Sequence, residues 1–135
     1  MAAVTKEQYS YDAIINGADG KAGIGDLSSI ELAQNWVLVG IHVEPEKTKG
    51  GIIRPDANRM EDVYQGKLGY VLKMGDGAFV DDDRVSFTVH PDEGDAILYR
   101  ASDGFPLDVN DIHCRLIEDV HVKAIVGDPK SVKFW

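Results

Sequence analysis

From Trp36 onward the chain alternates short apolar runs with turn residues at close spacing. Trp36-Val-Leu-Val-Gly-Ile-His-Val43 places Val37, Val39, Ile41 and Val43 on one face, which is strand periodicity. Leu68–Met74 reads as a second strand, stopped by Gly75-Asp76-Gly77. Val85–Val89 alternates in the same way and ends at Pro91-Asp-Glu-Gly94, and Ala96–Arg100 makes a fourth strand. Phe105–Val109 and His113–Ile117 flank Asn110-Asp111 and predict a hairpin. Glu118–His121 reads as one helical turn, and Val122–Val126 is the last strand before Gly127-Asp128-Pro129. Many short strands with almost no helix predict an all-β fold, a small barrel over residues 35–129.

Two stretches fall outside this pattern. Residues 1–34 are small and polar, with Gly17, Gly20, Gly23 and Gly25 close together. They hold too few large apolar side chains for a core of their own and read as an N-terminal arm lying on another subunit or protein. One short helix is expected there, starting at Ser28 or Ser29 as N-cap. The second stretch, residues 44–65, exceeds the roughly 12–15 residues beyond which a loop in a compact domain is usually functional or disordered. It is read as a protruding loop. Within it Gly50 and Gly51 precede Ile52 and Ile53, and Pro55 restricts Arg54. Two large aliphatic residues between a glycine pair and a proline, in an otherwise polar stretch, read as a docking tip; a buried edge strand is the other reading. Residues 130–135 form a C-terminal tail, whose Phe134 and Trp135 pack on a neighbour or on the chain's own barrel.

Composition narrows the function classes. At 135 residues and 44% apolar, the chain is one domain able to bury a core. A formal charge of −9 disfavours nucleic acid, which needs clustered Lys and Arg. No apolar run reaches the length of a membrane span, and the first residues lack a signal-peptide core, so a cytoplasmic address is expected. The single cysteine, Cys114, allows no intrachain disulfide and reads as a packing residue within a strand.

Candidate chemistry is sparse. Asp81-Asp82-Asp83 lacks the glycine and final glutamate of a calcium loop and reads as a solvated turn. His42, His90, His113 and His121 are scattered without zinc-ligand spacing. No serine sits in a nucleophile elbow, and Gly20-Lys21 lacks the remainder of a phosphate-cradling motif. No catalytic residue, metal or cofactor is assigned.

Four blocks, in order, resemble the GroES co-chaperonin family. Glu46-Lys-Thr-Lys-Gly-Gly-Ile-Ile53 with Pro55-Asp56 is similar to its mobile loop, and Leu68–Gly75 to the strand that follows. Gly94–Arg100 is similar to its late Gly-Asp strand, and Ile117–Val126 to its closing strand. The added arm and the Gly127-Asp-Pro129 tail look most like bacteriophage-encoded versions. The resemblance implies a GroES-like β-barrel in a heptameric homo-oligomer, whose loops dock apolar tips on a chaperonin ring and cap its folding chamber without enzyme chemistry. The partner-binding residues would be Gly50, Gly51, Ile52, Ile53, Arg54 and Pro55. The family's tip is normally apolar at all three central positions, and here the third is Arg54, which lays its methylenes on a groove while its charge stays in water. The alternative is a phage capsid decoration protein, built on the same barrel, bound to the major capsid protein and located in the virion.

Overall fold

The computed structural model describes residues 8–18, 20, 22–43 and 67–133. The expected all-β class is found. One six-stranded antiparallel sheet carries strands β1 (Trp36–Ile41), β2 (Leu68–Met74), β3 (Ala96–Leu98), β4 (Phe105–Val109), β5 (Ile112–Glu118) and β6 (Ala124–Val126). Their spatial order is β4-β5-β1-β2-β3-β6. Strands β4 and β5 form the expected hairpin, with Asn110 and Asp111 at φ 50° and 66°, the left-handed pair that a two-residue turn between twisted strands requires. The turn after β5 is a single 3-10 turn, Asp119–His121.

Strand β1 is the centre of the sheet, paired with β2 on one side and β5 on the other. It is apolar on both faces because both faces are covered. Leu38 packs with Leu68, Tyr70, Leu72, Ala96, Ile112 and Cys114 on one side. Val37 and Val39 pack on the other side with Val71, Ile97, Tyr99, Ile117 and Phe79. The strand expected to run to Val43 ends at Ile41, and Ile41 and Val43 form a small cluster of their own.

The described part of residues 1–34, the stretch expected to be an arm, packs on the first face of the chain's own sheet. The one α-helix among the described residues, α1 (Tyr11–Asn16), starts at Ser10, whose hydroxyl accepts the Ala13 N–H at 3.0 Å, and ends at Gly17 with φ 92°. Ile14 on α1 and Ile24 beyond it are buried in the same cluster as Leu38. Burying each is worth about 1.5–3 kcal/mol. Gly40 makes the approach possible, since a methyl there would stand 3.0 Å from Ile14 Cδ1 and 3.1 Å from Leu72 Cδ1. Ile24 N–H donates to Ile14 O at 2.8 Å, and Asn110 Nδ2 donates to Ile24 O at 2.6 Å, tying the segment to the β4–β5 turn.

Two other expectations are corrected. The helix predicted from Ser28 is absent, because the Ser28 N–H and hydroxyl both bond to the Asp26 carboxylate, at 2.9 and 2.8 Å. Lys73 Nζ then donates to the carbonyls of Leu27 and Ile30, the second of which is an acceptor that a helix would use. Val85–Val89 is not a strand either. Asp82 Oδ1 accepts the N–H groups of Arg84 and Val85 at 2.8 Å each, and Asp81 Oδ1 accepts that of Phe87 at 2.7 Å. Side-chain carboxylates take the donors that a ladder would need.

Candidate partner-binding site

Gly50, Gly51, Ile52, Ile53, Arg54 and Pro55, the residues expected from the sequence to form a docking tip, lie outside the described residues. What the structure does describe is the pair of chain ends from which their segment departs. Ile41 on β1 and Gly69 on β2 are register partners, so the chain leaves the sheet after Val43 and re-enters at Lys67 on neighbouring strands. His42 N–H donates to Leu68 O at 2.9 Å, continuing that pairing one step past β1. On the returning side Tyr99 N–H donates to Lys67 O at 3.0 Å.

Side chains brace this root. The His42 ring bonds through Nδ1 to the Tyr70 hydroxyl at 2.9 Å, and the two rings stand 5.7 Å apart. Tyr11 of α1 also packs on Tyr70, with centroids 6.3 Å apart. Gln8 is fully buried and binds both the β1 end and β5. Its Nε2 donates to Ile41 O and His113 O at 2.8 Å each, and its Oε1 accepts His113 N–H at 2.7 Å. Its carbonyl accepts Val43 N–H at 2.8 Å. Gln8 and Tyr70 were not singled out from the sequence. A lone glutamine in a polar stretch carries no periodic signal, and Tyr70 reads as one more strand residue.

The other groups weighed as chemistry have structural partners. Asp81 and Asp82 organise their own turn, and Asp81 also meets His90 Nε2 at 3.1 Å. The Phe87 N–H and then the His90 ring hold the Asp81 carboxyl below its ordinary range. His113 Nδ1 meets Asp108 Oδ1 across the hairpin at 2.7 Å, and His121 Nδ1 accepts the Glu118 N–H at 3.1 Å. Cys114 is buried in the core, and burial, followed by the nearby Asp108 charge, pushes its thiol up to about 12. Among the described residues no three His, Cys, Asp or Glu side chains are grouped to hold a metal, and no helix is long and apolar enough to cross a membrane.

The sequence model of the Chaperonin 10 Kd subunit family matches residues 29–126. The chain belongs to that family. The match takes in every strand from β1 to β6, together with the segment that joins β1 to β2. Members are co-chaperonins, partners of chaperonins that work as oligomeric rings. Gln8, α1 and Ile24 fall before the matched region, so the bracing of this co-chaperonin's first face is built by residues outside the family match. No curated protein matches the chain.

Proposed function

We propose that the chain is a co-chaperonin ring subunit that docks Ile52 and Ile53 on a chaperonin and so caps its folding chamber. The observation that carries this reading is the family match over the whole sheet, with the two roots of segment 44–65 held side by side at one end of it. The sequence of that segment supplies the chemistry: Gly50 and Gly51 give backbone freedom, Ile52 and Ile53 give apolar area, and Pro55 restricts the residue before it. Arg54 contributes methylene contact with its charge in water. A heptamer, the assembly that the GroES resemblance implies, multiplies weak single contacts into useful affinity. The partner is the chaperonin, which supplies the nucleotide chemistry.

The test is a double substitution, Ile52→Ser with Ile53→Ser, measured by co-sedimentation with a purified bacterial chaperonin supplied with ATP. Loss of both side chains removes about 3–5 kcal/mol per subunit if both are buried on docking, and seven weakened contacts failing together abolish binding. Thermal stability of the free chain should barely move. A double variant that binds fully but melts early would make both residues core and overturn the reading. The same variant separates out capsid decoration, which predicts loss from capsids and no change on the chaperonin.

A further inference from the structure

The pairing of β1 with β5 runs as far as Gly40 opposite Cys114. One more step in that register would set Ile41 opposite His113, but the Gln8 side chain stands there instead. Its Oε1 takes the His113 N–H at 2.7 Å and its Nε2 donates to Ile41 O at 2.8 Å, where a direct N–H to carbonyl bond would otherwise close the rung. The second Nε2 hydrogen goes to His113 O, also at 2.8 Å. Beyond the amide, Gln8 becomes the pairing partner itself, forming an antiparallel bridge with Val43. The outgoing chain is thus handed from β5 to the N-terminal segment at the last described residue before 44.

The chemistry of this position selects a glutamine. A primary amide offers two donors and one acceptor on one plane, as the three backbone groups require. A glutamate of the same length would set an oxygen against two carbonyl oxygens with no proton between them. An unmatched polar side chain at this depth would be costly to bury, and Gln8 is fully buried with both ends of its amide satisfied.

We propose that Gln8 is a positioning residue: an amide wedge that holds β1 off β5 beyond Gly40 and so sets the line along which the chain leaves the sheet at Val43. Its effect on docking rests on the proposed function above; the wedge itself does not. Helix α1 and the Ile24 contact anchor the segment that carries the wedge, so the N-terminal region works as a strap on the chain's own sheet.

Two substitutions in the full chain give opposite signatures in amide hydrogen exchange followed by NMR. Gln8→Ala empties the gap. Ile41 O then closes directly on His113 N–H, so the His113 amide stays protected, while β1 swings toward β5 and the Val43 amide loses about a hundredfold in protection as its bridge breaks. Gln8→Met keeps the gap filled without an amide, so the His113 amide loses protection and Val43 keeps its bond to the residue 8 carbonyl. If the alanine variant does not fold, the methionine pattern decides alone. Both amides lost together, or both retained, would overturn the wedge. For docking on a bacterial chaperonin with ATP, Gln8→Ala should raise the half-maximal concentration about tenfold, the equivalent of one hydrogen bond's worth of misplacement. Asp119→Ala, which removes the bonds to Phe79 N–H and Asn35 without touching the root, should leave it unchanged. Equal weakening by Asp119→Ala and Gln8→Ala would reduce Gln8 to a stabilising contact. Unchanged docking in the Ile52→Ser, Ile53→Ser variant would remove the docking reading, and the exchange pattern would still decide for or against the wedge.

Discussion

The Asp119 carboxylate accepts the Phe79 backbone N–H at 3.0 Å, joining the turn after β5 to the chain that follows β2. Its other oxygen accepts Asn35 Nδ2 at 2.9 Å. Phe79 stands at φ 56°, a left-handed conformation that costs roughly 1–2 kcal/mol for a residue with a side chain. The bond to Asp119 and the edge-on contact with Phe87, centroids 5.4 Å apart, hold it there. Asp119→Ala leaves the Phe79 and Asn35 donors without their partner and should destabilise the chain by about 2–3 kcal/mol in denaturant unfolding. Asp119→Asn, which keeps an acceptor, should cost less.

Gly69 lies where no side chain fits. A methyl there would overlap Val39 Cγ1 and stand 2.7 Å from Gly40 O. Gly69→Ala should lower stability by about 1–3 kcal/mol through overpacking, visible as a fall in Tm. Gly127→Ala, at a position open to solvent, is the control and should be near neutral.

Ile14 tests the place of the N-terminal segment. It is fully buried against the sheet, so Ile14→Ala should cost about 2–5 kcal/mol, the range for a truncated core aliphatic. A segment lying on another molecule would give a concentration-dependent loss instead, so unfolding should be followed at two protein concentrations.

Cys114 gives a pH dependence with a definite sign. Its thiol rises from 9.0 to about 12 in the folded chain because burial, and then the charge of Asp108, penalise the thiolate. The folded state therefore holds the proton across a range in which the unfolded state has lost it. The contribution is fully present below the unfolded value near 9 and declines as pH rises from about 9 toward 12. Alkylation at pH 8.5 should be slow in the folded chain and fast in denaturant.

Arg54→Leu restores an apolar third position beside Ile52 and Ile53. If that position meets the groove, docking on a bacterial chaperonin should tighten by about 1–2 kcal/mol per subunit, read as a lower half-maximal concentration. An unchanged value would mean that Arg54 does not enter the groove.

The strands were legible because their signals are local. β2 has the bounds read from its apolar run and its Gly75 stop, and the β4–β5 turn follows from Asn110-Asp111. Part of what was missed depended on partners far away in the chain, and part on side chains nearby that compete for the backbone groups of a regular element. Ile14 and Ile24 looked too few for a core because Leu38, Leu72 and Ile112 complete it. Val85–Val89 had the alternation of a strand, yet Asp81 and Asp82 reach forward to claim its donors. Ser28 had the chemistry of a cap but spent it on Asp26. Gln8 gave no sign at all, since its partners are 33 and 105 residues distant. The proposed tip residues were read from their own sequence and lie outside the described residues, so their roots at Val43 and Lys67 are the part of the site that the fold explains.

The register of Ile41 with Gly69 makes those two roots a socket. A graft between Val43 and Lys67 meets the same two anchors whatever its length. The entropy of closing a flexible connection grows only logarithmically, by about 0.6 kcal/mol for each doubling. If the segment docks as proposed, partner preference is exchangeable in this scaffold: a segment of another length and sequence, tuned to another groove, can be spliced in while the sheet that carries it is left as it is.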